Sequence, residues 1–178
     1  MDLLHLLKNY QPLDAADALQ ADKIKQFIND NQDGFERTNL KGHLTGSSWL
    51  VDPTWKKILL THHKKLGKWL QLGGHADGET DMMAVALREA REESGIQVIR
   101  SLSDEIFDVD IHFIPEHGAD PSHYHYDIRF LLQGDDLNFR ASVESNELAW
   151  VEVEKLSHFS QEESLARMAR KWNLVNKR

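Results

Sequence analysis

The segment from Gly74 to Ile96 concentrates the chemistry-bearing side chains of the chain. It holds Asp77, Glu79, Asp81, Glu89, Glu92 and Glu93 against Arg88 and Arg91, a local balance of −4 in a chain whose formal charge is −8. A helix advances about 100° per residue, so with Glu89 set at zero, Glu92 lies near 300° and Glu93 near 40°. Three carboxylates therefore converge on one face. Such a cluster repels itself unless a cation neutralises it, and hard oxygen donors select Mg²⁺ or Mn²⁺. The chemistry implied is metal-assisted attack of water on a phosphate or diphosphate. Arg88 stands at i,i+4 to Glu92 and is placed to hold that carboxylate. Gly73-Gly74 lets the backbone approach the cluster closely. A solvated helix face laced with ion pairs is the plainer reading, and it explains neither the paired glycines nor the spacing.

Other residues carry weaker signals. His75 follows the glycine pair and belongs at the rim of the site, in reach of a phosphate. His123, His125 and Asp127 alternate and so share one strand face. They read as polar lining of a cleft or an exposed sheet face, with a histidine-based transition-metal site as the sharper alternative. Arg129, further along the same strand, is a candidate phosphate ligand because a guanidinium binds phosphate bidentately. Lys64, Lys65 and Lys68 form a basic turn that either attracts a diphosphate or is merely solvated. Trp49, Trp69 and Tyr126 are stacking platforms or core, and receive no assignment.

The elements that position these residues follow from periodicity. Residues 15–30 repeat apolar positions at helical spacing behind a plausible N-cap, Asp14. Residues 43–51 and 57–62 read as two strands of a hairpin turning at Asp52-Pro53. A short strand over 69–72 runs into Gly73-Gly74, and a helix follows from Thr80 or Asp81 to Ser94, stopped by Gly95 in a left-handed position. Its apolar positions Met83, Ala86, Leu87 and Ala90 are expected to dock on the sheet. Residues 104–114 and 124–132 alternate as strands, residues 148–151 form another, and a last helix spans 161–175. The irregular mixture indicates an α/β or α+β arrangement rather than a repeating βαβ array.

Composition bounds the rest. A chain of 178 residues with 40% hydrophobic and 28% charged residues suits a soluble fold with a real core. It has no cysteine, which excludes disulfides, thiolate metal sites and a cysteine nucleophile. The acidic balance argues against a nucleic-acid polymer as partner. No apolar run approaches a membrane span, and without a signal-peptide pattern the expected location is cytoplasmic.

The segment Gly74, Arg88, Glu89, Ala90, Glu92, Glu93, Gly95 and Ile96 resembles the Nudix box, with fourteen positions from Gly74 to Arg88 as in that family. One fixed place departs: the early glutamate falls on Thr80, and Glu79 stands one residue before it. The resemblance covers roughly residues 40–157. It implies a Nudix-type α/β/α sandwich with a mixed sheet, here residues 39–178, behind an N-terminal helical extension, residues 1–38. It implies metal ligation by Gly74, Glu89, Glu92 and Glu93, catalytic roles for Glu92, Glu93 and Arg88, and a further loop glutamate as general base, for which Glu144 is preferred over Glu147. The cofactor implied is Mg²⁺, with Mn²⁺ the alternative. The substrate implied is a small nucleoside diphosphate derivative, either a nucleotide sugar such as ADP-ribose or a nucleoside triphosphate. A homodimer is compatible with the family. Two other readings of the same fold are a nucleotide-sensing module without catalysis and a diphosphate isomerase. The retained box glutamates weigh against the first, and the missing cysteine weighs against the second.

Overall fold

The computed structural model describes residues 2–116, 118, 121–140 and 145–176. In chain order the elements are α1 (Leu3–Asn9), α2 (Ala15–Asp30), β1 (Gly42–Val51), β2 (Lys57–His63), β3 (Lys68–Leu70), β4 (Leu72–His75), α3 (Met82–Ser94), β5 (Ile99–Ser101), β6 (Asp108–Ile114), β7 (His123–Gly134), β8 (Ser145–Glu152), a 3-10 turn (Val153–His158) and α4 (Glu163–Val175).

Asp52 makes the first corner. Its Oδ1 accepts from the backbone N–H groups of Lys56 and Lys57 at 2.9 and 2.8 Å, which turns the chain and pairs Val51 with Ile58. The expected hairpin holds only at that corner. Beyond it, β1 runs between two other partners: β4, antiparallel from Ser48↔Leu72 to Thr45↔His75, and β7, parallel from Gly42↔Tyr124 to Val51↔Gln133. β2 instead pairs antiparallel with β3 and β8. The strand anticipated over 69–72 is thus two strands, one on each half of the split sheet. β7 also carries β5 and β6, both antiparallel.

Strand alternation sorts the core into two layers. Leu44, Leu50, Leu59, Ile128, Phe130 and Leu132 point to one face and pack with Val85, Ala86 and Ala90 of α3. Trp49, Val51, Ile58, Leu60 and Leu131 point to the other and pack with Leu165, Met168 and Trp172 of α4. Helices on both faces of a mixed sheet give the α/β/α sandwich.

The N-terminal helices join the first of these cores. Leu3, Leu6, Leu7, Tyr10, Ala21 and Ile24 are buried in the same cluster as Val85. Asp14 caps α2 by accepting from Asp17 N at 2.9 Å. On its far side α2 meets β6, where Gln20 Oε1 accepts from Ile111 N at 2.7 Å, and Phe27 stacks on Tyr126 with ring centroids 3.8 Å apart. Sequence periodicity gave no sign of α1. Seven residues are too few to display a helical period, and its cap, Asp2 accepting from Leu4 N, is a single polar residue at the start of the chain.

Candidate functional site

Asp81 starts α3 by accepting from the N–H groups of Met83 and Ala84, and Gly95 ends it at φ 70°. The helix is rotated from the orientation its apolar residues suggest. Met82, Val85, Ala86, Ala90 and Glu93 are buried, whereas Met83 and Leu87 are only half-buried. The cause lies in the strands beneath. A Cβ on Gly46 would stand 2.8 Å from Val85 Cγ1, and one on Gly74 would stand 2.5 Å from Glu89 Oε2. These bare positions admit the edge of the helix that carries the carboxylates, so Glu89 and Glu93 turn toward the sheet.

The three box glutamates consequently occupy different environments. Glu93 is 7% exposed, and its Oε2 accepts from Gly73 N at 3.0 Å. The side chain of Glu89 is 14% exposed, and its Oε1 accepts from Arg88 Nη1 at 2.6 Å. Glu92 is 62% exposed, 3.6 Å from the same guanidinium nitrogen. Arg88 therefore engages Glu89 more closely than the Glu92 expected from i,i+4 spacing. Its Nη2 donates to the His75 carbonyl at 2.9 Å and ties α3 to β4. The donor set is all-oxygen apart from backbone amides, and it combines a buried, a half-buried and an exposed carboxylate around a glycine that presents no side chain. That fits a hard divalent cation contacting both protein and phosphate.

The two glycines yield contrasting predictions. In Gly74→Ala the three atoms nearest the new methyl all belong to the flexible end of Glu89, so stability should change by less than about 1 kcal/mol, while apparent affinity for a divalent cation falls because Glu89 is displaced. In Gly73→Ala the methyl meets Ser47 Cα at 2.8 Å, which is backbone and cannot swing away. That variant should lose stability, about 1–3 kcal/mol of overpacking. Thermal melts and Mg²⁺ titrations on both proteins separate the two cases.

Other expected residues are placed as follows. Glu79 is exposed and accepts from Asp81 N at 2.8 Å, so it serves the turn before α3; Thr80 is also exposed. Glu144 lies outside the described residues. Glu147 is exposed on β8 opposite His62. Lys68 pairs with Glu162 at 2.6 Å. Trp49 is core, and Tyr126 is taken up by Phe27. Arg129 is not brought to a cleft. It is 1% exposed, and it donates to Asp127 Oδ2 at 2.7 Å, Asp108 Oδ2 at 3.0 Å and Asp110 Oδ2 at 3.3 Å. A guanidinium this deeply buried and enclosed by three carboxylates is out of reach of a phosphate.

The polar residues of β7 that alternate do share a face, and register extends that face across three neighbours. His43 lies opposite His125 and Thr45 opposite Asp127 in β1; Thr45 faces His75 in β4; Asp110 and His112 of β6 lie opposite Asp127 and His125. This is the α4 side of the sheet. Toward α4 the stripe is ionic. Asp108 accepts from Arg129, from Arg167 Nε and Nη2 at 2.9 and 2.8 Å, and from Lys171 Nζ at 2.7 Å. Lys171 also pairs with Asp17 of α2 at 2.6 Å. Toward the other end the stripe is imidazole: His75 Nε2 is 3.3 Å from His125 Nε2, which is 3.1 Å from His123 Nε2, and the His43 ring stacks on His123 and lies tilted against His75 and His125, with all three centroids within 4.9 Å of its own. Burial, followed by the charge of Arg37, lowers His75 to a pKa of about 4. Burial, followed by His112, lowers His125 to about 2. Both rings are neutral at neutral pH. Neither the ionic cluster nor the meeting of His43 with His75 was readable from the chain, because both depend on strand register and on α4.

Comparison with known proteins agrees with this geometry. Residues 45–172 match the model of the NUDIX domain. Among solved structures, the chain resembles a hydrolase of the NUDIX family from Clostridium perfringens, with 26% identity over 75% of this chain and 97% of that one and a TM-score of 0.55. It also resembles a C. elegans Ap4A hydrolase in a binary complex (18% identity, 75% and 97% coverage, TM-score 0.61) and the MutT protein of Methanosarcina mazei Go1 (18%, 77% and 96%, 0.58). No curated protein sequence matches the chain. Among the described residues, no helix is long and apolar enough to cross a membrane.

Proposed function

The chain belongs to the Nudix hydrolase family, and from that premise we propose that it hydrolyses the diphosphate linkage of a small nucleoside diphosphate derivative with Mg²⁺, or Mn²⁺ in its place. Nudix hydrolases typically cleave pyrophosphate bonds of such compounds, and the chain is a pyrophosphohydrolase of this kind. The observation that carries the reading is the seating of α3 on β4, with Glu89 over Gly74, Glu93 on Gly73 N, and Arg88 bonded to both Glu89 and the His75 carbonyl.

Glu89, Glu92, Glu93 and the backbone of Gly74 would hold the divalent cation. When bound, the cation would neutralise phosphate charge and polarise an oxygen of the phosphate being attacked. The protein's own residues do the rest. Arg88 holds Glu89 in place and fixes the helix on the strand. The low exposure of Glu89 and Glu93 keeps solvent from competing for their oxygens. Water adds to one phosphorus, the bridging P–O bond breaks, and the second phosphate leaves with the electron pair. The proton of the attacking water passes to Glu144 or to a box glutamate; Glu92 is the one most open to solvent.

The reacting phosphates alone do not define the attached group, and a nucleotide sugar such as ADP-ribose and a nucleoside triphosphate are the two substrate classes that fit. Incubating the full chain with Mg²⁺ and a panel of ADP-ribose, dinucleoside polyphosphates and (deoxy)nucleoside triphosphates, with products resolved by ion-exchange chromatography, tests the reading. A nucleoside monophosphate from at least one panel member supports it. No cleavage of any member with Mg²⁺ or Mn²⁺, together with tight binding of ADP-ribose, would make the chain a nucleotide sensor instead.

A further inference from the structure

Across the sheet from the carboxylates of α3, three strands bring imidazoles together. We propose that His43, His123 and His125 bind one divalent transition-metal ion, zinc being the best match, with His75 as the fourth corner. One ligand atom of each of the first three lies within 4.8 Å of the others. Tetrahedral zinc with Zn–N bonds of about 2.0–2.1 Å sets its ligand nitrogens roughly 3.3–3.4 Å apart. The Nε2 separations of His125 from His75 and His123 are 3.3 and 3.1 Å, so these two pairs stand at ligand spacing, and His43, within 4.8 Å of His123 and His125, would close on the ion by a ring shift.

Hydrogen bonding alone leaves this cluster unsatisfied. His43 is 4% exposed, and neither of its buried ring nitrogens has a partner at hydrogen-bond geometry, although the backbone of Asn39 lies close enough to favour its protonated form. Buried polar atoms are rarely left so. His123 Nδ1 lies 2.8 Å from the Pro121 carbonyl, which accepts only, so the proton sits on Nδ1 and Nε2 turns a bare lone pair toward His125. That carbonyl is the kind of outer partner that fixes the tautomer of a metal-bound histidine. The single Nε2 of His125 then faces two ring nitrogens and has one proton or one lone pair with which to satisfy both. A cation accepts every lone pair at once.

The donor set also distinguishes this site from the glutamates. Asp127, two residues along the strand from His125, is already engaged by Thr45, Ser47, Gln71 and Arg129, and Asp110 by His112, Arg129 and Arg167. Arg37, the cation whose charge reaches His43 and His75, is paired with Asp77. What remains is all imidazole, a set that suits zinc or its first-row neighbours rather than Mg²⁺. Bound metal would join β1, β4 and β7 at the residue whose carbonyl anchors Arg88. The inference does not depend on the hydrolytic reading.

The test uses the full chain freed of metal by a chelator and titrated with Co²⁺, then with Zn²⁺. The expected result is an intense visible band saturating at one equivalent of Co²⁺ and abolished by one equivalent of Zn²⁺. Glu89→Gln and Glu92→Gln should keep it. His123→Gln and His125→Gln should weaken binding by at least the roughly 10–100-fold that even an outer partner is worth, with far-UV circular dichroism reporting their fold. X-ray absorption of the wild-type zinc form decides the ligands without any variant: a shell of three or four imidazoles supports the site. No saturable band in the wild-type protein, an oxygen-only shell, or binding unchanged in folded His123→Gln and His125→Gln overturns it.

Discussion

Glu93→Gln should lower turnover by roughly 10²–10⁴-fold, the range associated with losing a positioned acid–base or charge-bearing group, and leave the fold intact. The substitution is unusually clean at this position. Glu93 Oε2 accepts a hydrogen bond from Gly73 N at 3.0 Å, and a glutamine carbonyl accepts the same bond at nearly the same place. Shape and backbone contact are therefore retained while the charge is removed. The side chain is 7% exposed, so a neutral amide also relieves part of the penalty of burying an anion. The melting temperature should hold or rise as kcat falls. If steady-state kinetics with any cleaved panel substrate showed unchanged turnover, Glu93 would be a structural carboxylate and the proposed metal-holding role would be wrong. If stability fell together with activity, the loss would be one of folding.

The same residue shows what a sequence can and cannot disclose. Helical spacing alone places Glu89, Glu92 and Glu93 on one face, and the structure keeps them there. It does not predict that the face is partly buried, because that depends on Gly46, Gly73 and Gly74, which come from two strands that pair only in the folded sheet. The apolar residues of α3 point to a docking stripe of Met83, Ala86, Leu87 and Ala90; Ala86 and Ala90 are buried, but the glycines rotate the helix so that Val85 and Glu93 replace Met83 and Leu87. Of the strands with strict alternation, β7 was legible to within two residues at each end, whereas β6 begins at Asp108, four residues after the alternation does, because Ile106 and Phe107 turn into the core without pairing as strand. β5 was not legible, since three residues carry no period, and neither was the split of 68–75 into two strands with different partners. Arg129 was misplaced for a related reason. Its chemistry suits phosphate, but Asp108 and Asp110 are its register neighbours or close to them on β6, and that pairing cannot be seen in the chain.

Those carboxylates lead to the other large effect. Asp108→Asn should destabilise the protein by about 3–6 kcal/mol, the loss of two charge-assisted hydrogen bonds at about 1.5–3 kcal/mol each, and lower the melting temperature by roughly 6–24 °C for a chain of this size. Net charge is not the reason. Arg129, Arg167 and Lys171 face Asp17, Asp108, Asp110 and Asp127, so the cluster has one acid in excess and neutralising one would leave it balanced. Geometry is the reason. Asp108 is fully buried, and each of its oxygens accepts twice: Oδ1 from Arg167 Nε and Lys171 Nζ, Oδ2 from Arg129 Nη1 and Arg167 Nη2. An asparagine must put an NH₂ group in one of those places, where its hydrogens meet two donors with no acceptor between them. The near-isosteric change should thus be no milder than Asp108→Ala. The cluster also joins α2 to α4 through Asp17 and Lys171, so the loss should be felt at the N-terminal helices as well as at α4. Acid works through the neighbours with a definite sign. Burial would raise Asp110, but the His112 hydrogen bond and then Arg129 outweigh it and hold its pKa below the ordinary carboxylate range; Lys171 and Tyr10 likewise outweigh burial at Asp17. A depressed folded-state pKa contributes stability that is present above the unfolded carboxylate value, near 4, and lost as pH falls through the folded one. Wild-type protein should resist unfolding until pH drops below that range, and Asp108→Asn should unfold at a higher pH. Equal acid midpoints by circular dichroism would show that the cluster does not bind the helices together.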